Sequence, residues 1–340
     1  SYIDPDYRSL LTLFVLCSYI QDAADLYYLP EIVFFGPPEN GKSRTGKAMT
    51  SIAYRGIHLA DLREANVFRY AQNLQASLFF DTKDLWKKAE RSGSEDLLLL
   101  RFEKGAKVSR VLYPERGPFL DMVHYNIFGP TIIATNEAIH GILDTRAINI
   151  PIPNKPGTYE NLHPSTGLEL KERLTAWRAR MIGRPLPKAE PIPGVQGRLF
   201  DIAEPLLQVC TLIYPAGLTP LRKTLQVIAD QRSADKISTV EGQIVTWLKN
   251  NAPNNLAVWE IKTSELVVSL NVDRPDKYKL NPRTVGKKLK SMGITTRISR
   301  GTSTMTVRKE VLNDLVNAYR VEHSPNSPDS PIQRRISIND

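Results

Sequence analysis

Along the first 235 residues the hydrophobic pattern switches between helical and strand-like stretches. Residues 5–25 place apolar side chains at helical spacing, which predicts a helix leading into the first strand. A short continuous apolar run, Ile32-Val-Phe-Phe, follows. Three similar runs come later: Ser77-Leu-Phe-Phe80 ending at Asp81, Thr131-Ile-Ile-Ala-Thr135 ending at Asn136, and Ala147-Ile-Asn-Ile-Pro-Ile152. Short, unbroken apolar strands separated by helical stretches indicate a parallel sheet covered by helices on both faces. Between the second and third runs, Ala106–Leu112 and Phe119–Tyr125 alternate with period two around Pro114-Glu-Arg-Gly-Pro118. That pattern predicts an inserted β-hairpin.

Helices are predicted over Leu168–Met181, Leu199–Tyr214 and Leu218–Asp230, with the Pro-rich stretch 184–193 between the first two. From about residue 238 a new order begins. It runs helix (Val240–Asn250), strand (Val258–Ile261), helix (Ser264–Leu270) and a helix opening at Asn281-Pro282-Arg283. Two strands, Thr295–Ser299 and Thr304–Val307, then flank Arg300-Gly301-Thr302 ahead of a last helix, Lys309–Tyr319. This is the order of a winged helix-turn-helix. The Ser/Pro/Asp-rich tail from Glu322 reads as disordered.

The chemistry begins directly after the first strand, at Gly36-Pro37-Pro38-Glu39-Asn40-Gly41-Lys42-Ser43. A G-x-x-x-x-G-K-S loop between a strand and a helix is the phosphate-binding loop of a P-loop NTPase; a plain Gly-rich turn is the bland alternative. Its glycines let the backbone N–H groups curl around a β-phosphate, Lys42 reaches the β/γ-phosphates, and the Ser43 hydroxyl ligates Mg²⁺. Arg44 opens the helix that follows. The expected cofactors are therefore ATP and Mg²⁺. In parallel α/β sheets ligands bind at the carboxyl ends of the strands. Gly41-Lys42, Asp81 and Asn136 all fall there.

Asp81 fits the Walker B carboxylate that holds Mg²⁺ through water, although an Asp at that point also caps helices. The residue after it is normally the Glu that polarises the attacking water. Here it is Thr82, which is no general base at neutral pH; Asp84 takes that role if the helix start brings it round. Asn136 sits where a polar side chain would orient water beside the γ-phosphate, or else simply closes a strand-end turn. Arg146, just before the fourth strand, is placed to project onto a neighbouring subunit's γ-phosphate, or to pair with Asp144 as a surface ion pair. Arg198, opening a helix, is a candidate second nucleotide-sensing arginine.

Composition adds bounds. A hydrophobic content of 41% and a charged content of 24% are those of an ordinary globular chain with room for two or three domains. No apolar run is long enough to span a bilayer, so no membrane partner is expected. Cys17 and Cys210 lie in apolar segments and read as reduced core residues of a cytoplasmic protein. Five scattered His and two Cys offer no zinc spacing. The first residue, Ser1, leaves room for a preceding domain. The net charge of +9 suggests a polyanionic partner, and its distribution sharpens this. From Leu280 to Arg308 there is no acidic residue, while Arg283, Lys287, Lys288, Lys290, Arg297, Arg300 and Arg308 are basic. Arg283, Lys287 and Lys290 share one helical face, which suits duplex DNA; a merely solvated basic face or a protein contact is the alternative.

With the Walker loop, Asp81, Asn136 and Arg146 in order, residues 1–235 resemble an AAA+ ATPase core with its helical lid. The stretch RFEKGAKVSRVL…FGPTIIATNEAIHGILDTRAINIPI is similar to the MCM-like and primase-associated helicases of phages and mobile genetic elements. The resemblance implies a core over 1–154, a lid and linker over 155–236, a winged-helix DNA-binding domain over 237–321 and a tail over 322–340. It implies a hexamer whose hairpins line a pore and grip single-stranded DNA through Lys107, Arg110 and Arg116. The expected activity is ATP-driven DNA translocation and unwinding in replication. Thr82 in place of Glu departs from that family. It keeps a second reading open, an ATP-switched initiator or helicase loader with slow hydrolysis. A protein-remodelling machine is disfavoured, since no aromatic-Val-Gly pore loop is present.

Overall fold

The computed structural model describes residues 3–118, 120–136, 140–154, 157, 161–163, 165–299 and 302–321. The chain divides into two compact units, Ser1–Gln226 and Val227–Asp340.

The first unit opens with α1 (Pro5–Tyr19), whose Asp4 side chain caps the helix by accepting from the Asp6 N–H at 3.0 Å. There follow β1 (Glu31–Phe35), α2 (Lys42–Ile52), β2 (Ile57–Leu59), α3 (Glu64–Leu74), β3 (Leu78–Asp81), α4 (Leu85–Ser92) and α5 (Glu95–Leu100). Next come β4 (Lys107–Val111), β5 (Met122–Asn126), β6 (Thr131–Thr135), α6 (Gly141–Asp144), β7 (Ala147–Pro151), α7 (Leu168–Met181), α8 (Arg198–Ile213) and α9 (Leu218–Ser238). The division between the units falls within α9, which runs on past the end predicted at Asp230.

Five strands form one parallel sheet in the order β2-β3-β6-β1-β7. Ile32, Val33, Phe34, Leu78, Phe79, Phe80, Ile132, Ile133, Ile148 and Ile150 are all buried. Both faces of the sheet are thus covered, as the unbroken apolar runs require. Because the strands are parallel, their carboxyl ends share one edge: Phe35 pairs with Thr135 and with Pro151, and Asp81 with Ala134. Helix α2 packs close over this sheet because it carries Gly46. A Cβ there would come within 2.2 Å of the Phe79 ring, so the glycine's cost in helix stability, about 1 kcal/mol, is offset by close packing.

The predicted hairpin forms, pairing Lys107 with Asn126 through to Val111 with Met122. Its base is clamped onto α3 by stacking of Tyr125 on Phe68, ring centroids 4.9 Å apart, and by an Arg110–Glu64 ion pair.

The second unit continues with α10 (Val240–Asn250), β8 (Val258–Lys262), α11 (Thr263–Asn271), α12 (Pro282–Ser291), β9 (Thr295–Ser299), β10 (Thr302–Arg308) and α13 (Lys309–Tyr319). The strands form an antiparallel sheet ordered β8-β10-β9. Thr239 caps α10, and Asn281 caps α12 by accepting from the Thr284 N–H at 2.8 Å, with Pro282 at the first helical position. Ile244, Leu248, Leu266, Val285, Leu289, Met305 and Val307 form its core. Arg300, Gly301 and the tail 322–340 lie outside the described residues. Among the described residues no helix is long and apolar enough to cross a membrane. Cys17 and Cys210 are buried and unbridged.

Candidate nucleotide-binding site

The Gly36–Lys42 loop joins the carboxyl end of β1 to the start of α2. Gly36 has φ +150°, and a Cβ on it would come within 2.8 Å of the Ile152 carbonyl oxygen. Only glycine lets the loop lie this close to the end of β7. The Asn40 side chain fastens the same contact, donating from Nδ2 to the Ile152 oxygen at 2.9 Å. Glu39 and Gly41 take positive φ, 66° and 88°, which folds the backbone back on itself ahead of the helix. Lys42 is buried and donates from Nζ to the Pro37 carbonyl at 2.5 Å; burial depresses its pKa, opposed by Asp81. Pro38, Glu39, Gly41, Lys42 and Ser43 line a cleft of about 500 Å³, whose other wall is Asp81–Lys83 and Ala134–Asn136.

On the floor of this cleft the Ser43 hydroxyl donates to Asp81 Oδ1 at 2.8 Å. One hydroxyl and one carboxylate in contact are hard oxygen donors of the kind Mg²⁺ takes while keeping water and phosphate oxygens in its remaining positions. The donor set fits, and no competing cluster of metal-binding side chains occurs among the described residues. His58, which the sequence pattern gives no reason to single out, comes within 3.6 Å of Asp81 Oδ2 and stacks on Phe79. Exposed Asn136 lines the cleft at the end of β6.

Asp84 is not among the residues lining the cleft. It takes a left-handed conformation, φ 54°, at the start of α4, and its carboxylate lies 3.7 Å from Lys87 on the same helix. Arg44 likewise turns from the cleft and donates to Asn161 Oδ1 at 3.2 Å. The residue beside Asp81 is the buried Thr82, whose hydroxyl accepts a hydrogen bond from Lys88 Nζ.

Arg146 and Arg198 meet at the other edge of the sheet. Arg146 immediately precedes Ala147, which pairs with Glu31 at the start of β1. Its guanidinium lies 5.1 Å from the Phe102 ring centroid, and Arg198's lies 5.2 Å from the same centroid. Arg198 is thus withdrawn from the cleft around Lys42, contrary to expectation, because α8 starts beside Phe102. Burial first, and then the neighbouring Arg198, lower the Arg146 pKa, while Glu31 and Glu103 oppose them.

Beneath this pair lie two buried ionisable groups with no signature in the sequence pattern. Arg101 donates to Thr131 Oγ1 (3.0 Å) and to the carbonyls of Ile127 (2.8 Å), Ala76 (3.3 Å) and Pro130 (3.2 Å). Glu31 is only 1% exposed, and neither carboxyl oxygen has a hydrogen-bond partner among the described residues. Burial pushes its pKa up to about 8 against the pull of Arg101 and Arg146.

The basic residues expected to meet DNA divide by what sits opposite them. Arg283, Lys287 and Lys290 are exposed on one face of α12, and Arg297 and Lys107 are also exposed. Lys288 turns to the other side of α12 and pairs with Glu241 at 2.5 Å. Arg110 is engaged by Glu64 through two hydrogen bonds, 2.6 and 3.2 Å, and lies over Phe68. Arg116 stacks on Tyr113 at 3.9 Å near the hairpin tip. Lys288 and Arg110 are therefore structural anchors, their charges already neutralised within the fold. Arg300 lies outside the described residues.

No protein-family model matches the chain, and no curated protein matches it. Among solved structures it is similar to the apo A form of the NrS-1 C-terminal region, at 13% identity, 91% of this chain, 76% of that one and a TM-score of 0.36. It is similar also to Cch of SCCmec type IV, described as an active helicase, at 15% identity, 90% and 68% coverage and a TM-score of 0.39. A third is the RuvB Holliday junction branch migration motor of Thermotoga maritima, at 12% identity, 92% and 95% coverage and a TM-score of 0.27. Likenesses this loose carry nothing about activity.

Proposed function

We propose that this chain is an ATP hydrolase of the AAA+ type that works as a ring, most simply a hexamer. In this reading it translocates on DNA and unwinds it in the replication of a phage, plasmid or mobile element. The observation that carries the reading is the placement of Lys42 and Arg146 at opposite ends of β1. The strand Glu31–Phe35, at ~3.3 Å per residue, puts them about 16 Å apart along the sheet. Arg146 cannot serve its own cleft, yet it lies half-exposed at an edge beside a second arginine, as a residue acting on a neighbour's phosphate would. In a metaphosphate-like transition state, charge spreads over the γ-phosphate oxygens, and cations supplied in trans stabilise it strongly. Lys42 and Ser43 bind and orient the triphosphate, Asn136 orients the attacking water, and Arg146 with Arg198 comes from the adjacent subunit. Ser43 and Asp81 would hold Mg²⁺, which would supply neutralisation of the phosphate charge when bound.

For DNA, the second unit is read as a winged helix whose α12 presents Arg283, Lys287 and Lys290 to phosphates. The hairpin, mounted rigidly on α3, presents Lys107 and its tip to a strand in the pore.

The test is a subunit-mixing experiment. Lys42→Ala lacks a working cleft and Arg146→Ala lacks the donated arginine, so each alone is inactive. Mixed, subunits with an intact cleft sit beside subunits with an intact Arg146, and DNA-stimulated turnover returns to about a quarter of wild type. No recovery on mixing, with both variants assembled by light scattering, overturns the trans arrangement. The second reading, an ATP-switched initiator or loader, is favoured by one observation: Thr82, paired with Lys88, stands where a water-polarising carboxylate would act. Hydrolysis that DNA leaves unstimulated, with no strand displacement on a forked substrate, would select it.

A further inference from the structure

The wall of the cleft beside Asp81 has the wrong polarity for activating water. Thr82 lines the cleft and is only 8% exposed. Its oxygen accepts from the Lys88 ammonium on one of its two lone pairs, and the polarisation strengthens the hydroxyl as a hydrogen-bond donor. Its proton is held only by a long contact, 3.4 Å, to the Lys83 carbonyl, and a hydroxyl rotor turns freely to a better acceptor. Lys83 lines the same wall. A carboxylate here would accept a proton from water; this hydroxyl instead offers a hydrogen bond, with an ammonium behind it. The turn that builds it is local. Asp84 takes the left-handed conformation and starts α4 at once, and the first helical bond, Lys88 N–H to the Asp84 carbonyl at 2.9 Å, lays Lys88 back over Thr82. The same helix carries Trp86, whose ring stacks on His140, centroids 4.2 Å apart. Helix α4 therefore ties this wall to His140.

We propose that Thr82 and Lys88 form a γ-phosphate sensor: the Thr82 hydroxyl, polarised by the Lys88 ammonium, donates to a γ-phosphate oxygen and makes the cleft prefer a nucleoside triphosphate to a diphosphate. The proposal rests on reading the cleft as a nucleotide site. Charge-assisted hydrogen bonds favour an anionic oxygen over water, and only the triphosphate places one at this wall. Thr82 and Lys88 thereby convert a position that elsewhere drives turnover into one that reads which nucleotide is bound.

The experiment is calorimetric titration of the full chain with Mg²⁺-ATPγS and, separately, Mg²⁺-ADP. Lys88→Met and Thr82→Val should each weaken ATPγS binding by about tenfold to a hundredfold, the range for one hydrogen bond to a charged group. ADP affinity should stay within about twofold. Lys88→Arg, which keeps the cation, should restore much of the preference. Lys88 is exposed on α4, and Thr82→Val is close to isosteric, so both variants should fold. Equal weakening of both nucleotides, or no change in either, overturns the sensor. Lys42→Ala separates the two levels: if it binds ATPγS as wild type does, the nucleotide reading of the cleft itself fails. If it loses binding while Lys88→Met and Thr82→Val keep the wild-type ratio of ADP to ATPγS affinity, only the sensor fails.

Discussion

Replacing Glu31 by Gln should flatten the dependence of stability on pH. Glu31 is fully buried, with neither oxygen bonded among the described residues, and its pKa rises from 4.5 to about 8, burial outweighing Arg101 and Arg146. Below pH 4.5 the folded and unfolded chains both hold the proton and the site is neutral in its effect. Between 4.5 and 8 the unfolded chain releases the proton while the folded chain keeps it, so stability falls as pH rises. Above 8 both are ionised and the full loss remains. At ~1.4 kcal/mol per pH unit the loss accumulates to about 5 kcal/mol across the window. Gln removes the titration but keeps the size and a polar head, so it adds an offset of roughly 1–3 kcal/mol for an unsatisfied amide that does not vary with pH. The assay is urea denaturation of parent and Glu31→Gln at half-unit steps from pH 5 to 8.5, followed by far-ultraviolet circular dichroism. The difference between the two should change by about 1.4 kcal/mol per pH unit in favour of the variant. Carboxylates whose pKa is lowered by ion pairs, Asp22 with Arg178 and Glu64 with Arg110, act below this window and cancel in the difference. A difference that is constant across the range would refute the raised Glu31 pKa.

Two further outcomes follow from the contacts. Gly36→Ala places a Cβ against the Ile152 backbone oxygen, which cannot move aside. It should cost about 1–3 kcal/mol in strain and lower ATP affinity at least tenfold by displacing the loop, as read by thermal melting and calorimetry. Lys287→Ala with Lys290→Ala should reduce the salt slope of duplex DNA binding by about 2 in log–log units. Lys288→Ala should leave that slope unchanged and instead destabilise the second unit by releasing Glu241. Fluorescence anisotropy across a salt series, beside a melting curve, checks both.

What is legible in the sequence is whatever depends on near neighbours. The loop Gly36–Ser43, Asp81 and Asn136 each follow an apolar run, and strand ends in a parallel sheet converge, so their meeting is forced by topology. The hairpin and the helices of the second unit are readable for the same reason, through period and caps such as Asn281. The residues that escape such reading are those whose environment is set from afar. Arg110 is claimed by Glu64 and Lys288 by Glu241, 46 and 47 positions away. Basic charge alone cannot distinguish a free cation from one already neutralised. Arg198 goes to Phe102 because the tertiary fold sets the start of α8 beside that ring, a placement no local pattern encodes. Glu31 and Arg101 give no signal because, flanked by apolar residues, each looks like a strand or helix boundary. Thr82 stands out in the sequence only as a missing Glu; its partner Lys88 becomes visible once the left-handed turn at Asp84 is known.

Strand β7 begins beside Arg146 and ends just before Ile152, whose carbonyl holds the Asn40 side chain and leaves no room beyond a hydrogen on Gly36. In the ring proposed above, the residue that would read the neighbour's phosphate and the loop that would grip the subunit's own are thus the two ends of one stiff strut. Its paired neighbour β1 keeps it from bending. A shift at one end arrives at the other as displacement, so each subunit would relay the state of one bound nucleotide to the next by mechanical push, with no diffusing messenger and no flexible joint in between.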